Sequence, residues 1–455
     1  METLQKKYGF WTATAMVVGI VIGSGVFFKA DDVLAASGGS LPTALLAWLI
    51  GGAIMVVTAF VFAQIAVRIE KVNGVVDYFE SAYGEKAGYL VAWFMTMVYY
   101  PTLVSVLAWV SANYTIGLLG MERGVWLLAA IYLAIFFLLN GLSPVLAGKW
   151  QVSATLIKLI PLALVAVVGT AGGLVSGQTL DSFANSAHTV AGGGLAVATL
   201  ATAFAYEGWI IATAINAELR DARRTLPRAL VVGTVAVAVI YMLYYLGISG
   251  VLSNAQVLDA GDDAPVRVMS IIFGRLGGTL LTVFVIISCL GTLNGLIMGC
   301  ARGMFSIASR GSGPRPEIFK AVNPKTNATV NSAILGFCLS ALWMIVWYGN
   351  FQGWWGKFMD ISELPIAFLY VIYVALYVWV MKEYRDLGPL SRFLAPLSAG
   401  AGSVYIIWGA VQKDMFIHFL VLTAVIMLSG LPFMPRRQRS RRCRQDPGHP
   451  HIRRA

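Results

Sequence analysis

Long apolar segments separated by short polar stretches recur along the chain from residue 10 to residue 433. Each approaches or exceeds the roughly 20 residues that carry a helix across a bilayer. The pattern predicts twelve spans, at 10–36, 42–68, 87–119, 125–143, 150–176, 192–217, 228–252, 276–308, 329–348, 361–381, 394–411 and 414–433. A continuous apolar run of this length satisfies its backbone in lipid by coiling into a helix. The predicted fold class is therefore all-α integral membrane, with 1–433 as a single transmembrane domain and 434–455 as a basic tail.

Two spans are interrupted. In the first, Gly19-Ile20-Val21-Ile22-Gly23-Ser24-Gly25-Val26-Phe27-Phe28 places glycines on both sides of a serine. Glycine weakens a helix because it loses the most backbone freedom on ordering. Where a helix opens in lipid, the freed N–H and C=O groups must face protein or a cavity. The N–H groups opening the second half-helix then suit an anion. The sixth span carries Phe204-Ala205-Tyr206-Glu207-Gly208-Trp209, an acid beside a glycine in an apolar run. The breaks lie five spans apart, the spacing of a five-plus-five inverted repeat whose discontinuous helices 1 and 6 meet at the midplane. The repeats cover roughly 10–176 and 192–381, with extra helices over 394–433.

Composition agrees, with 58% hydrophobic and 12% charged residues. The net charge of +11 does not point to nucleic acid, because the basic residues cluster beside apolar segments and eight fall in the last twenty positions. Counted by side, they place both termini in the cytoplasm. The first span lacks a small-residue cleavage site, so Met1 is expected to be the mature start. The four cysteines have no metal-ligand spacing and imply no disulfide framework.

Lys158 stands deep in an apolar run, nine residues past Lys149, or about 13 Å along a helix. A buried cation there is costly unless paired or deprotonated, which makes Lys158 a functional candidate; the alternative is a lysine that reaches a polar loop or the headgroups. Tyr241 and Tyr245 share a face of span 7, and Tyr241 lies deeper, within reach of a central cavity. Pro101, after Tyr99 and Tyr100, should kink span 3. Ser288-Cys289-Leu290-Gly291-Thr292-Leu293-Asn294-Gly295 in span 8 is small and polar, suited to close helix approach. Val75–Glu80 reads as a short amphipathic helix on the cytoplasmic side. His188, His418, His449 and His451 are not mid-span, so none is a convincing proton relay.

The first-span motif, Phe204–Trp209 and Ser288–Gly295 together resemble the amino acid–polyamine–organocation superfamily, whose fold is LeuT-like. Within it the chain resembles the L-type amino acid transporter branch, and most of all the bacterial alanine–serine–cysteine exchangers, which also have counterparts of Lys158 and of Tyr99-Tyr100-Pro101. The resemblance implies a substrate carboxylate on backbone N–H groups around Ser24 and Gly25. It implies an ammonium on the carbonyls of Val21 and Phe204, with Ala205 and Glu207 nearby, and Phe204 as a gate. Lys158 would take the place of a sodium ion and tie span 5 to the Gly23 region and to Ser288. Many members have glycine where this chain has Glu207. Eukaryotic members join a single-span glycoprotein through a cysteine between spans 3 and 4. Here Gly120-Met121-Glu122-Arg123-Gly124 has none, so no disulfide-linked heavy chain is expected.

The expected function is sodium-independent exchange of small neutral L-amino acids across the plasma membrane by alternating access. A proton-coupled symporter, accepting cationic amino acids or polyamines as well, is the alternative. A channel is disfavoured because there are no rings of like charge. Glu207, Lys158 and the cysteines form neither a nucleophile–base pair nor a metal constellation, so no catalytic residue, metal or cofactor is expected. The partners expected are a small L-amino acid and the lipid bilayer; oligomeric state is left open.

Overall fold

The computed structural model describes residues 9–23, 25–69, 73–143, 146–147, 150, 157–185, 194–212, 219, 221–326 and 328–435. Among them, ten helices are long and apolar enough to cross a membrane, which makes this a multi-pass, all-helical membrane protein. The first apolar segment divides into α1 (Phe10–Val21), α2 (Gly25–Phe28) and α3 (Ala30–Ala36). Next, α4 (Leu41–Ala66) starts where the Ser40 hydroxyl accepts from the Thr43 amide at 3.4 Å and Pro42 fills the first turn. The amphipathic α5 (Val75–Tyr83) turns at Gly84 into α6 (Glu85–Leu118).

The distortion expected at Pro101 takes the form of a π-helical turn, Met95–Tyr99, one step ahead of it. Proline has no N–H to give to the carbonyl four residues back, that of Met97. Trp343 supplies the donor instead, its Nε1–H reaching Met97 O at 2.9 Å. A lost backbone bond is thus replaced from another helix.

The chain continues through α7 (Val125–Leu142), α8 (Leu159–Ser176), α9 (Leu195–Tyr206), α10 (Trp209–Ala212) and α11 (Ala222–Ser249). It ends with α12 (Ala264–Ser309), α13 (Val330–Phe351), α14 (Leu364–Glu383), α15 (Leu390–Val411) and α16 (Phe416–Phe433). The start of α12 precedes the expected span at 276 because its first turns form a separate piece. Gly274, at φ 70° and ψ −175°, breaks the helix between that piece and the crossing part.

Packing sorts these helices into two groups. Helices α1, α4, α9 and α11 pack on one another, and α6, α7, α12 and α13 form a second cluster. Where the first two broken segments meet, α1 contacts α10 while α2 and α3 contact α9, so the two run in opposite directions. Arg310, just past the end of α12, bonds Asp77 and, at 2.9 Å, Glu80, both on α5, which packs on α6. Asp77 is buried, and a buried carboxylate left without its cation is strongly destabilising. Arg310→Ala is expected to cost on the order of 2 kcal/mol, Arg310 being only part-buried. A thermal unfolding scan in detergent checks this; an unchanged midpoint would mean that Asp77 finds another partner.

Candidate functional site

The α1 hydrogen-bond ladder ends where Ile22 turns extended, at φ −64° and ψ 95°, its N–H still bonded to Val18 O. Likewise α9 stops at Tyr206. Glu207 is extended at φ −72° and ψ 158°. Gly208 follows at φ 110°, a conformation that side chains avoid. The end of α9 packs on the start of α2. A Cβ on Gly25 would lie 2.7 Å from Ala205 Cα and 2.9 Å from Phe204 Cδ1, so only glycine allows the approach.

Helix ends leave carbonyls without intrahelical donors. The Tyr241 hydroxyl of α11 lies 3.3 Å from Val21 O and 3.2 Å from Ala205 O, so a single donor is shared between the two ends. Its ring stacks on Tyr206 at 5.2 Å and meets the Trp48 ring edge-on at 5.8 Å. Tyr245, one turn on, also lies against Trp48, at 5.9 Å, as the shared face predicts. From α12, the Ser288 hydroxyl donates to Gly23 O at 3.4 Å.

A cavity of about 660 Å3 adjoins these ends, within the usual range of about 300–1,000 Å3 for small-molecule sites. Val21, Gly23, Gly25, Lys158, Phe204, Ala205 and Glu207 line it. Ser288 and Tyr241 do not. They stand behind the wall and hold its backbone. Ser24 lies outside the described residues, as do the segment 151–156 before Lys158 and the tail from 436. The cavity runs between α6 and α12 as far as Asn73 and Ser309, both exposed, and Arg310. At its other end Phe204 meets Phe28 edge-on at 5.2 Å.

Besides Arg302 and Arg310 towards the exposed end and the tyrosines Tyr99 and Tyr100, Lys158 and Glu207 line this space. Lys158 is 2% exposed, and among the described residues its ammonium has no hydrogen-bond or ion-pair partner. Glu207 accepts the Tyr99 hydroxyl on Oε1 at 3.0 Å, while Oε2 is buried without a partner among the described residues. Tyr99 was not among the expected site residues. Its place on the wall follows from the π-turn that ends at it, which the tyrosine pair before Pro101 hinted at. The site therefore brings together an amine, a carboxylate and backbone groups of both signs, which suits a small zwitterion.

Comparison with known proteins first identifies the class. The crystal structure of MhsT in complex with L-phenylalanine superposes with a TM-score of 0.60 at 14% identity, covering 89% of this chain and 100% of that one. The fold is thus that of a LeuT-like membrane transporter. Within that class the family is defined by sequence: the model for amino acid permeases matches residues 8–442, and the chain belongs to this family of the amino acid–polyamine–organocation superfamily. It is 30% identical over 439 residues to the serine/threonine exchanger SteT of Bacillus subtilis, covering 94% of this chain and 96% of SteT. It is 30% identical over 356 residues to the large neutral amino acids transporter small subunit 2 of Homo sapiens, covering 75% and 64%. Over 324 residues it is 28% identical to the Asc-type amino acid transporter 1 of Homo sapiens, covering 68% and 60%. It is a transporter, not an enzyme.

Tyr241→Phe keeps the ring stack but removes the donor from both carbonyls. Leaving such buried acceptors unsatisfied costs about 1–3 kcal/mol. The variant should unfold at lower temperature than the wild type by a matching amount; equal midpoints would show that other groups satisfy Val21 and Ala205.

Proposed function

We propose that this protein exchanges small neutral L-amino acids of the alanine, serine and cysteine type across the cell membrane, by alternating access and without sodium. The observation that carries this reading is the meeting of two helix ends, at Val21 and Tyr206, on one cavity that also receives Lys158. An amino acid carries one negative and one positive group on a common carbon. The N–H groups around Ser24 and Gly25 suit its carboxylate, and the carbonyls of Val21 and Phe204 suit its ammonium. These are the parts common to all substrates, so backbone reads them; Ala205 and Glu207 then face the side chain. The relative described as a serine/threonine exchanger, matched over nearly its whole length, supports a small substrate.

In this reading the chain has twelve spans forming one domain over 1–433, with inverted repeats at 10–176 and 192–381 and two further helices over 394–433. The separation into two packed groups and the opposed crossing of α1–α3 with α9–α10 support it. The basic residues put both termini in the cytoplasm, so the cavity opens inward through Asn73 and Ser309. Residues 434–455 form a cytoplasmic tail. Lys158 supplies the fixed charge that a sodium ion gives elsewhere in the fold, which frees transport from sodium. No cysteine lies in Gly120–Gly124 to bond a heavy chain.

The buried Oε2 of Glu207, without a partner among the described residues, favours a second reading, a proton-coupled symporter that also takes cationic amino acids or polyamines. Counterflow in proteoliposomes separates the two. Exchange predicts uptake of labelled L-alanine or L-serine only when an unlabelled amino acid is inside, with no response to sodium or to a pH gradient. Uptake into empty vesicles that follows the proton gradient would instead establish symport. Lys158→Ala should lose at least about tenfold of the exchange rate, as removal of a state-selective charge of 1.4 kcal/mol requires, while remaining folded. Wild-type exchange by that variant would reduce Lys158 to a structural residue.

A further inference from the structure

We propose that the cleft between the end of α6 and the bent start of α12 binds one zwitterionic phospholipid of the phosphatidylethanolamine type. The cleft holds about 820 Å3 and shares no lining residue with the central cavity. Its size falls in the range of about 300–1,000 Å3 usual for small-molecule sites.

The break at Gly274 builds its walls. A Cβ on Gly277 would lie 2.8 Å from Met269 O, and one on Gly278 would overlap the Ser270 hydroxyl. Each pair is eight residues apart, which a straight helix would hold about 12 Å from each other. The first piece of α12 therefore folds back on the crossing part. Arg267 and Ile271 share a face of that piece, being four residues apart, and so do Arg275 and Thr279 on the crossing part. All four line the cleft, so each arm of the bend turns a stripe to it. Asn113 and Gly117 near the end of α6, with Met121 beyond it, form the third side.

The lining is amphipathic and its charges balance, with Arg267 and Arg275 set against Glu122 and Asp263. Arg267 is already paired with Asp259 at 3.0 Å. Arg275, Glu122 and Asp263 have no ion pair among the described residues. A guanidinium takes a phosphate through a fork of two hydrogen bonds, and a carboxylate accepts from an ammonium. An ethanolamine headgroup supplies both partners. An anionic headgroup would offer the two acids nothing, and a choline headgroup has no N–H to donate.

The chains have a surface to follow. Ile271, Leu276 and Leu280 are exposed beside the cleft, and in a bilayer such a face meets hydrocarbon. By the orientation proposed above, the cleft opens to the outer leaflet. Arg275 follows the break directly, where a long cationic side chain reaches the headgroups. A bound lipid would join α6 to both arms of the bend.

The test titrates the purified, delipidated full-length protein with phosphatidylethanolamine, phosphatidylglycerol and phosphatidylcholine of identical chains, and with phosphoethanolamine. Native mass spectrometry reads binding and the unfolding midpoint reads stabilisation. Phosphatidylethanolamine should bind at least about fivefold more tightly than the other two lipids, a modest margin because the charged groups are exposed. Phosphoethanolamine, lacking chains, should not bind. Arg275→Gln removes the phosphate partner and Thr279→Trp fills the cleft from an exposed helix position. Each should weaken phosphatidylethanolamine by at least about fivefold, and either decides alone if the other does not accumulate. Glu122→Gln combined with Asp263→Asn should erase the preference over choline. Equal binding of the three lipids, tighter phosphatidylglycerol, binding of phosphoethanolamine alone, or unchanged binding in Arg275→Gln overturns the proposal. None of these readouts needs transport, so they stand apart from the counterflow result.

Discussion

Where a helix stops inside an apolar segment, its last carbonyls need donors that lipid does not supply. Here two helices stop, at Val21 and at Tyr206, and the end of the second packs on the start of α2 through Ala205 and Gly25. One hydroxyl, that of Tyr241, lies within hydrogen-bond reach of a carbonyl from each. The stack of Tyr206 on Tyr241 and the edge contacts of both with Trp48 fix where that hydroxyl can be. The break is therefore a built feature, with the interior of one helix group arranged to support it. Its remaining polar groups are turned to a cavity, where a ligand with both charges can meet them.

The same economy of donors recurs away from the site. Pro101 removes a bond from α6, and Trp343 of α13 restores it at Met97. The π-turn that goes with this ends at Tyr99, which reaches Glu207 in the other helix group. A local backbone defect in one group is thereby tied to the candidate site at its boundary with the other. The cavity is asymmetric as well, since one end runs to exposed residues between α6 and α12. The opposite end is closed by aromatic rings and by charges that are buried yet paired. A carrier needs two closures that are not made at once, and this chain holds one of them closed.

Much of the site was legible in the chain itself. Gly23-Ser24-Gly25 and Glu207-Gly208 stand out because an apolar run gains nothing from glycine or a carboxylate unless the backbone opens there. Lys158 stands out for the same reason. Pairing was not legible, because a single sequence says what a residue needs and not where the partner lies. Tyr241 could be placed near a cavity, but its two carbonyls belong to other helices. Lys29 stands at the edge of an apolar run, and its acid is 334 residues away. The Pro101 distortion was foreseen as a kink, since the donor that makes a π-turn affordable sits on a distant helix.

In the proposed binding mode, the backbone at the first helix end receives a carboxylate while carbonyls at the two ends receive an ammonium. The most direct measurement is ligand-induced stabilisation of the purified protein, comparing an L-amino acid, its carboxamide and its N-acetyl derivative. A saturating ligand at about 100 times its dissociation constant adds roughly 2.7 kcal/mol to stability. The account predicts that L-alanine or L-serine raises the unfolding temperature, and that both blocked derivatives fail to do so. Equal stabilisation by the carboxamide would contradict it, because the Gly23–Gly25 backbone would then have no carboxylate to bind.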